Sequence, residues 1–133
     1  MKTRNVMALT ALAGIGLGAA AMQGLHAQAK PPVYLVGLID VSNEDGYGKE
    51  YAPKAQAIIK DAGGRLIATG GAGAPVQVTT LEGEPYKGRL VIQQWDSMDK
   101  IKAWHTSAAY QENRKIGDKY AKFRFVVVEG RPQ

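Results

Sequence analysis

The chain has 133 residues, 45% of them hydrophobic and 22% charged, which suits one globular domain and excludes a long disordered or fibrous chain. It contains no cysteine, which excludes disulfides, zinc–thiolate centres and iron–sulfur clusters within one subunit. The formal charge of +5 falls to +3 once Lys2 and Arg4 of the leader are removed, and no Lys/Arg run longer than two follows, so no nucleic-acid partner is expected.

The first 29 residues read as a secretory signal rather than as part of a fold. Lys2 and Arg4 make a basic start, an apolar run follows from Val6 to Met22, and Ala27-Gln28-Ala29 supplies the small residues of a cleavage site. Cleavage fits after Ala27 or after Ala29. The run is shorter than the roughly 20 residues of a spanning helix, and its glycines weaken it as one, so no stable membrane anchor is expected after cleavage. Export to the periplasm or the outside follows from this reading. Cleavage also removes His26, leaving His105 as the one histidine of a domain covering residues 30–133. A multi-histidine metal site within a subunit is therefore excluded, and no metal or cofactor is expected.

Lys30-Pro31-Pro32 is an extended lead-in. Val33 to Val41 is a first strand, apolar on both alternating faces, with Val33, Leu35, Ile39 and Val41 on one and Tyr34, Val36 and Leu38 on the other. Ser42 or Asn43 caps a helix over Glu44 to Ala62, whose apolar stripe carries Tyr47, Tyr51, Ala55, Ile58 and Ile59. Pro53 lies inside it and should kink it or mark a break in its first half. Gly63-Gly64 ends it. Arg65 to Thr69 is a second strand, followed by a glycine- and alanine-rich loop and a short edge strand over Val76 to Leu81. Glu82-Gly83-Glu84-Pro85 is a turn. Arg89 to Trp95 is the next long strand. Ser97 caps a second helix whose apolar side carries Met98, Ile101, Trp104 or His105, and Ala108, and Ser107 caps a further helical segment bearing Tyr110, Ile116 and Tyr120, which Gly117 weakens. Phe123 to Glu129 is the last strand.

The order β-α-β-β-α-β is the ferredoxin-like arrangement, an α+β fold in which two helices cover one face of a four-stranded antiparallel sheet. A sheet wet on one side alternates apolar with polar residues. Here the first and last strands are apolar on both faces, so the second face calls for a cover, and a homodimer with sheet against sheet provides it.

At this point the chain resembles domain-of-unknown-function family 1330, a branch of the dimeric α+β-barrel superfamily. The matching stretches are Tyr47 to Tyr51, Ala62 to Gly71 (AGGRLIATGG), Leu81-Glu82-Gly83, Gly88 to Ile92 (GRLVI), Ser97, Ala103-Trp104, Ser107, Tyr110, and Val126 to Gly130 (VVVEG). They extend over essentially the whole domain. The resemblance implies the ferredoxin-like fold, a dimer, and a cavity between sheet and helices, without a settled reaction. Asn43 stands where the family often has Asp, Gln94 where Glu is common, Asp96 where Pro is common and His105 where Tyr is common. A neutral amide at Gln94 cannot replace a carboxylate base.

The candidate residues follow from chemistry. His105 suits a general base near neutral pH or an axial haem ligand, and it borders the buried stripe four residues after Ile101. Arg65 can hold a ligand carboxylate bidentately or form a structural ion pair, and Arg89, at a similar level, can add a second anion contact. Tyr47 and Tyr51 lie one helical turn apart, their rings in the core and their hydroxyls in need of partners. Trp95, Trp104 and Tyr110 supply large apolar surface, with Trp95 at a strand end open to pocket or dimer contact. Gln93 and Gln94 face opposite sides of their strand, so one amide lies inside the domain and needs partners. Gly70-Gly71-Ala72-Gly73 lacks the GxxxxGK[ST] pattern and reads as a loop at a cavity mouth rather than a phosphate loop. The leading expectation is a protein whose polar edge of Arg65, His105 and Gln94 and whose aromatic walls bind a small aromatic or carboxylated molecule. The alternatives are a cofactor-independent monooxygenase or isomerase using His105, a haem-binding protein, or a structural dimer.

Overall fold

The strands form where β-branched and aromatic residues concentrate. They are β1 (Val33–Val41), β2 (Arg65–Gly71), β3 (Arg89–Trp95) and β4 (Ala121–Glu129). The computed structural model describes residues 30–133, and the expected secretory signal lies outside the described residues. No helix among the described residues is long and apolar enough to cross a membrane. The sheet order is β2-β3-β1-β4 and every pairing is antiparallel. With helices between β1 and β2 and between β3 and β4, this is the ferredoxin-like α+β fold.

The first helical region has three parts: α1 (Glu44–Gly46), a π-helical turn (Tyr47–Tyr51) and α2 (Ala52–Asp61). The Asn43 side chain accepts from the Gly46 N–H at 2.9 Å and starts the helix, with Glu44 and Asp45 at its positive end. The π turn has a local cause. Pro53 has no N–H to return to the carbonyl of Lys49, and the Ala52 N–H instead reaches back five residues to the Tyr47 carbonyl. The break expected at Pro53 is therefore a widened turn. The Asn113 amide meets the Tyr51 carbonyl there, at 3.4 Å.

The second helical region is α3 (Met98–Thr106) and α4 (Ala108–Gly117). Ser97 caps α3. Ser107 serves both helices at the corner: its hydroxyl donates to the Trp104 carbonyl at 2.7 Å and accepts from the Tyr110 N–H at 3.2 Å. Gly117 is the last residue of α4, and a Cβ there would stand 2.7 Å from the Tyr51 ring. The glycine lets that ring close against α4.

The edge strand expected over Val76 to Leu81 does not form. Only one bond ties its start to β2, from the Gly71 N–H to the Val76 carbonyl (2.9 Å), and the Thr80 hydroxyl accepts from the Tyr86 N–H, closing a loop instead of a ladder. Val76 and Leu81 are left exposed.

Register sorts the side chains. Leu35 pairs with Gln93 and Val127, Gly37 with Val91 and Phe125, and Ile39 with Arg89 and Phe123, all on the face covered by helices. Tyr34, Val36 and Leu38 lie on the other face with Leu90, Ile92, Val126 and Val128. No described element covers that face, and Val126 and Val128 are exposed.

Two buried clusters fill the space under the helices. One contains Val33, Leu35, Ile59, Trp95, Ile101, Trp104 and Tyr110, and the other Ile39, Tyr47, Tyr51 and Ala121. Between them β1 presents Gly37, which has no side chain, and Phe125 leans toward the gap from β4. Trp95 and Trp104 pack with ring centroids 5.4 Å apart, an aromatic contact worth about 0.5–1.5 kcal/mol beyond its buried area.

Candidate functional site

A cavity of about 80 Å³ takes its walls from both clusters. The sheet contributes Ile39 of β1, Arg89, Val91 and Gln93 of β3, and Phe125 of β4. The π turn contributes Tyr47 and Tyr51, and α3 contributes Trp104. Gln56 of α2 with Leu66 and Thr69 of β2, all exposed, flank the side toward the sheet edge. The break in register between Leu66 and Ala68 lies on this rim.

Position in the chain explains each polar group. Arg89 opens β3 on the helix-facing side. Its Nη2 meets Glu44 Oε2 at 3.0 Å, its Nε donates to the Ala72 carbonyl at 3.2 Å, and its Cζ lies 4.7 Å from the centre of the Tyr47 ring. The cation over the aromatic face is a further attractive contact. Burial raises the Tyr47 pKa above the ordinary phenol value, against the nearby Arg89 cation, which lowers it. Tyr51 is pushed up more strongly, again chiefly by burial. Both phenols are neutral at physiological pH. Tyr47 and Tyr51 stack at 5.2 Å, and Tyr51 also meets Phe123 at 5.2 Å.

Gln93 is 2% exposed, and its Oε1 accepts from the Trp95 indole N–H at 2.9 Å. That bond uses one lone pair of the amide oxygen, and Gln93 also lines the cavity. Trp104 is 3% exposed, and its indole N–H has no acceptor among the described residues. An unmatched buried donor costs about 1–3 kcal/mol.

The structure brings together three of the seven candidate residues, Tyr47, Tyr51 and Arg89. Arg65 and Gln94 are direct partners on the uncovered face of the sheet, not in the cavity, because the register that turns Gln93 inward turns Gln94 outward. Trp95 is buried in the core and is not among the lining residues; its indole orients Gln93 from behind. His105 is exposed near the end of α3, its ring 5.0 Å from that of Tyr110, and it does not line the cavity. One step along a helix separates it from Trp104, and that step turns it from the interior to solvent. Sequence reasoning placed Trp104 in the core without a polar role and named Gln94 rather than Gln93. The available signal for Gln93 was its partner Trp95 two residues on, which shares its face.

A family model described as domain of unknown function 1330 matches residues 32–131. No curated protein matches the chain. Among solved structures, a protein of unknown function from Rhodopseudomonas palustris is similar with a TM-score of 0.57 at 12% identity, covering 84% of this chain and 92% of the other. SnoaB, a cofactor-independent oxygenase from Streptomyces nogalater, is similar with a TM-score of 0.54 at 12% identity, covering 77% of this chain and 96% of its own. At this identity these likenesses show a shared fold.

Proposed function

The chain belongs to the DUF1330 family, and we propose that it binds a small organic molecule, aromatic or carboxylated, in the cavity between sheet and helices, as an exported homodimer. The observation that carries the binding reading is the polar lining of an otherwise apolar interior: Arg89, Gln93 and the two tyrosines line one space, with Trp104 in its wall. A few placed polar groups in an apolar cleft are the usual form of a small-molecule site. The dimer is supported by the apolar uncovered face, and export by the basic, apolar and small-residue parts of the first 29 residues.

A catalytic reading is favoured by one observation, the fold shared with a cofactor-independent oxygenase. His105 gives it no support, since the ring lies outside the cavity. A reaction in this cavity would have to use its own phenols, guanidinium and amide.

A thermal-shift screen of small acids and aromatics tests binding directly. A ligand at a hundred times its Kd stabilises the fold by about 2.7 kcal/mol, which raises the melting temperature by several degrees in a domain of this size. A panel in which no compound moves the transition would count against the reading.

A further inference from the structure

We infer that the cavity is a site for a small carboxylate, and that Glu44 is a built-in competitor for the cation that holds it. The inference rests on the binding reading and selects between its two ligand classes.

Size comes first. An apolar cavity of about 150 Å³ holds a benzene ring, and the room here is about 80 Å³. The space as it stands suits a molecule of a few non-hydrogen atoms better than a flat ring.

Charge comes second. Among the described residues, Arg89 is the one charged residue lining the cavity, and no carboxylate lines it. Two of its five N–H donors are committed, to Ala72 and to Glu44. Gln93 spends part of its acceptor on the Trp95 indole and keeps two amide N–H donors. A ligand rich in acceptors and carrying negative charge satisfies these groups, and a carboxylate matches the guanidinium fork in particular.

Glu44 supplies the regulation. It is not a lining residue, and its side chain is about 44% exposed while that of Arg89 is 12% exposed. An ion pair with one partner this wet is worth about 0–1 kcal/mol, so a bound carboxylate can displace it cheaply. The loop is fitted to this pair: Gly73 has φ +72°, and a Cβ there would collide with the Glu44 carboxylate. The Ala72 carbonyl completes the contact from the same loop. Glu44 thus holds Arg89 and the loop together, and exchange of Glu44 for a ligand carboxylate releases that hold.

The test uses acetate and propionate against acetamide and propionamide at constant ionic strength, followed by the fluorescence of the protein's two tryptophans. Propionate should bind at least tenfold more tightly than propionamide. Arg89→Gln should remove that preference, and Glu44→Gln should tighten propionate severalfold without changing propionamide. Amides that bind as well as the acids overturn the carboxylate assignment while leaving the cavity reading intact. Absence of binding by both series overturns the assignment and counts against the cavity reading as well. Glu44→Gln that weakens propionate overturns the competitor role. Should Arg89→Gln fail to fold, the acid–amide comparison and Glu44→Gln still decide the matter.

Discussion

Tyr51 shows how one side chain joins core and cavity. Its ring packs on Tyr47, Phe123 and the bare backbone of Gly117, while the residue also lines the cavity. Burial raises its pKa above the ordinary phenol value of 10.0. The sign follows from proton counting. Above pH 10 the unfolded chain loses the phenol proton while the folded chain keeps it, so folding there binds a proton and stability falls as pH rises. Below pH 10 both states keep the proton and the contribution is fully present. Tyr51→Phe should therefore flatten the loss of melting temperature above pH 10 relative to the unsubstituted protein, and parallel curves would show that this phenol does not titrate as described. At this scale the sequence was partly legible. Tyr47, Tyr51 and Arg89 were identified from their residue types and spacing, because a helical stripe and a strand end are local features. The reactivity of His105 says nothing about which way one helical position turns, and it is the neighbour, Trp104, that faces inward.

The elements themselves were readable where caps and breakers mark them. Asn43, Ser97 and Ser107 each accept a backbone N–H in the way their residue types allow, and Pro53 breaks the helix where it lacks a donor. That the break is a π turn was not legible, since a proline inside a helical stretch can kink it, end it or widen it; the Asn113 amide meets the Tyr51 carbonyl at the widened turn. Strand parity was not legible either. When both faces of a strand are apolar, alternation does not say which is covered, and a shift of one residue exchanges Gln93 for Gln94. Only the pairing of Leu35 with Gln93 settles it. The segment Val76 to Leu81 has strand-like composition, yet Pro75 and Pro85 bracket it and the Thr80 hydroxyl closes a turn onto Tyr86, so tertiary context overrides propensity.

On the scale of the whole molecule, the fold leaves an apolar sheet face that no described element covers. Tyr34, Val36, Leu38, Leu90 and Ile92 occupy its middle, and Val126 and Val128 extend it along β4. Burying such a surface yields about 25 cal/mol per Å², and a second copy offers the matching surface by two-fold symmetry. Sedimentation at micromolar concentration should therefore give a dimer, and a paired change of Ile92 and Val126 to Lys should shift it to the monomer with the helical content retained. A stable single chain before substitution would contradict the sheet-to-sheet cover.

Occupation of the space between the two core clusters is read most directly from the indole N–H resonances of Trp95 and Trp104. One is tied to Gln93, while the other has no acceptor among the described residues. Titration with propionate should move the Trp104 signal, since its ring lines the cavity, and saturate together with the change at the Arg89 side-chain Nε–H. Signals from both groups that stay in place at concentrations where other surface residues respond would contradict the account.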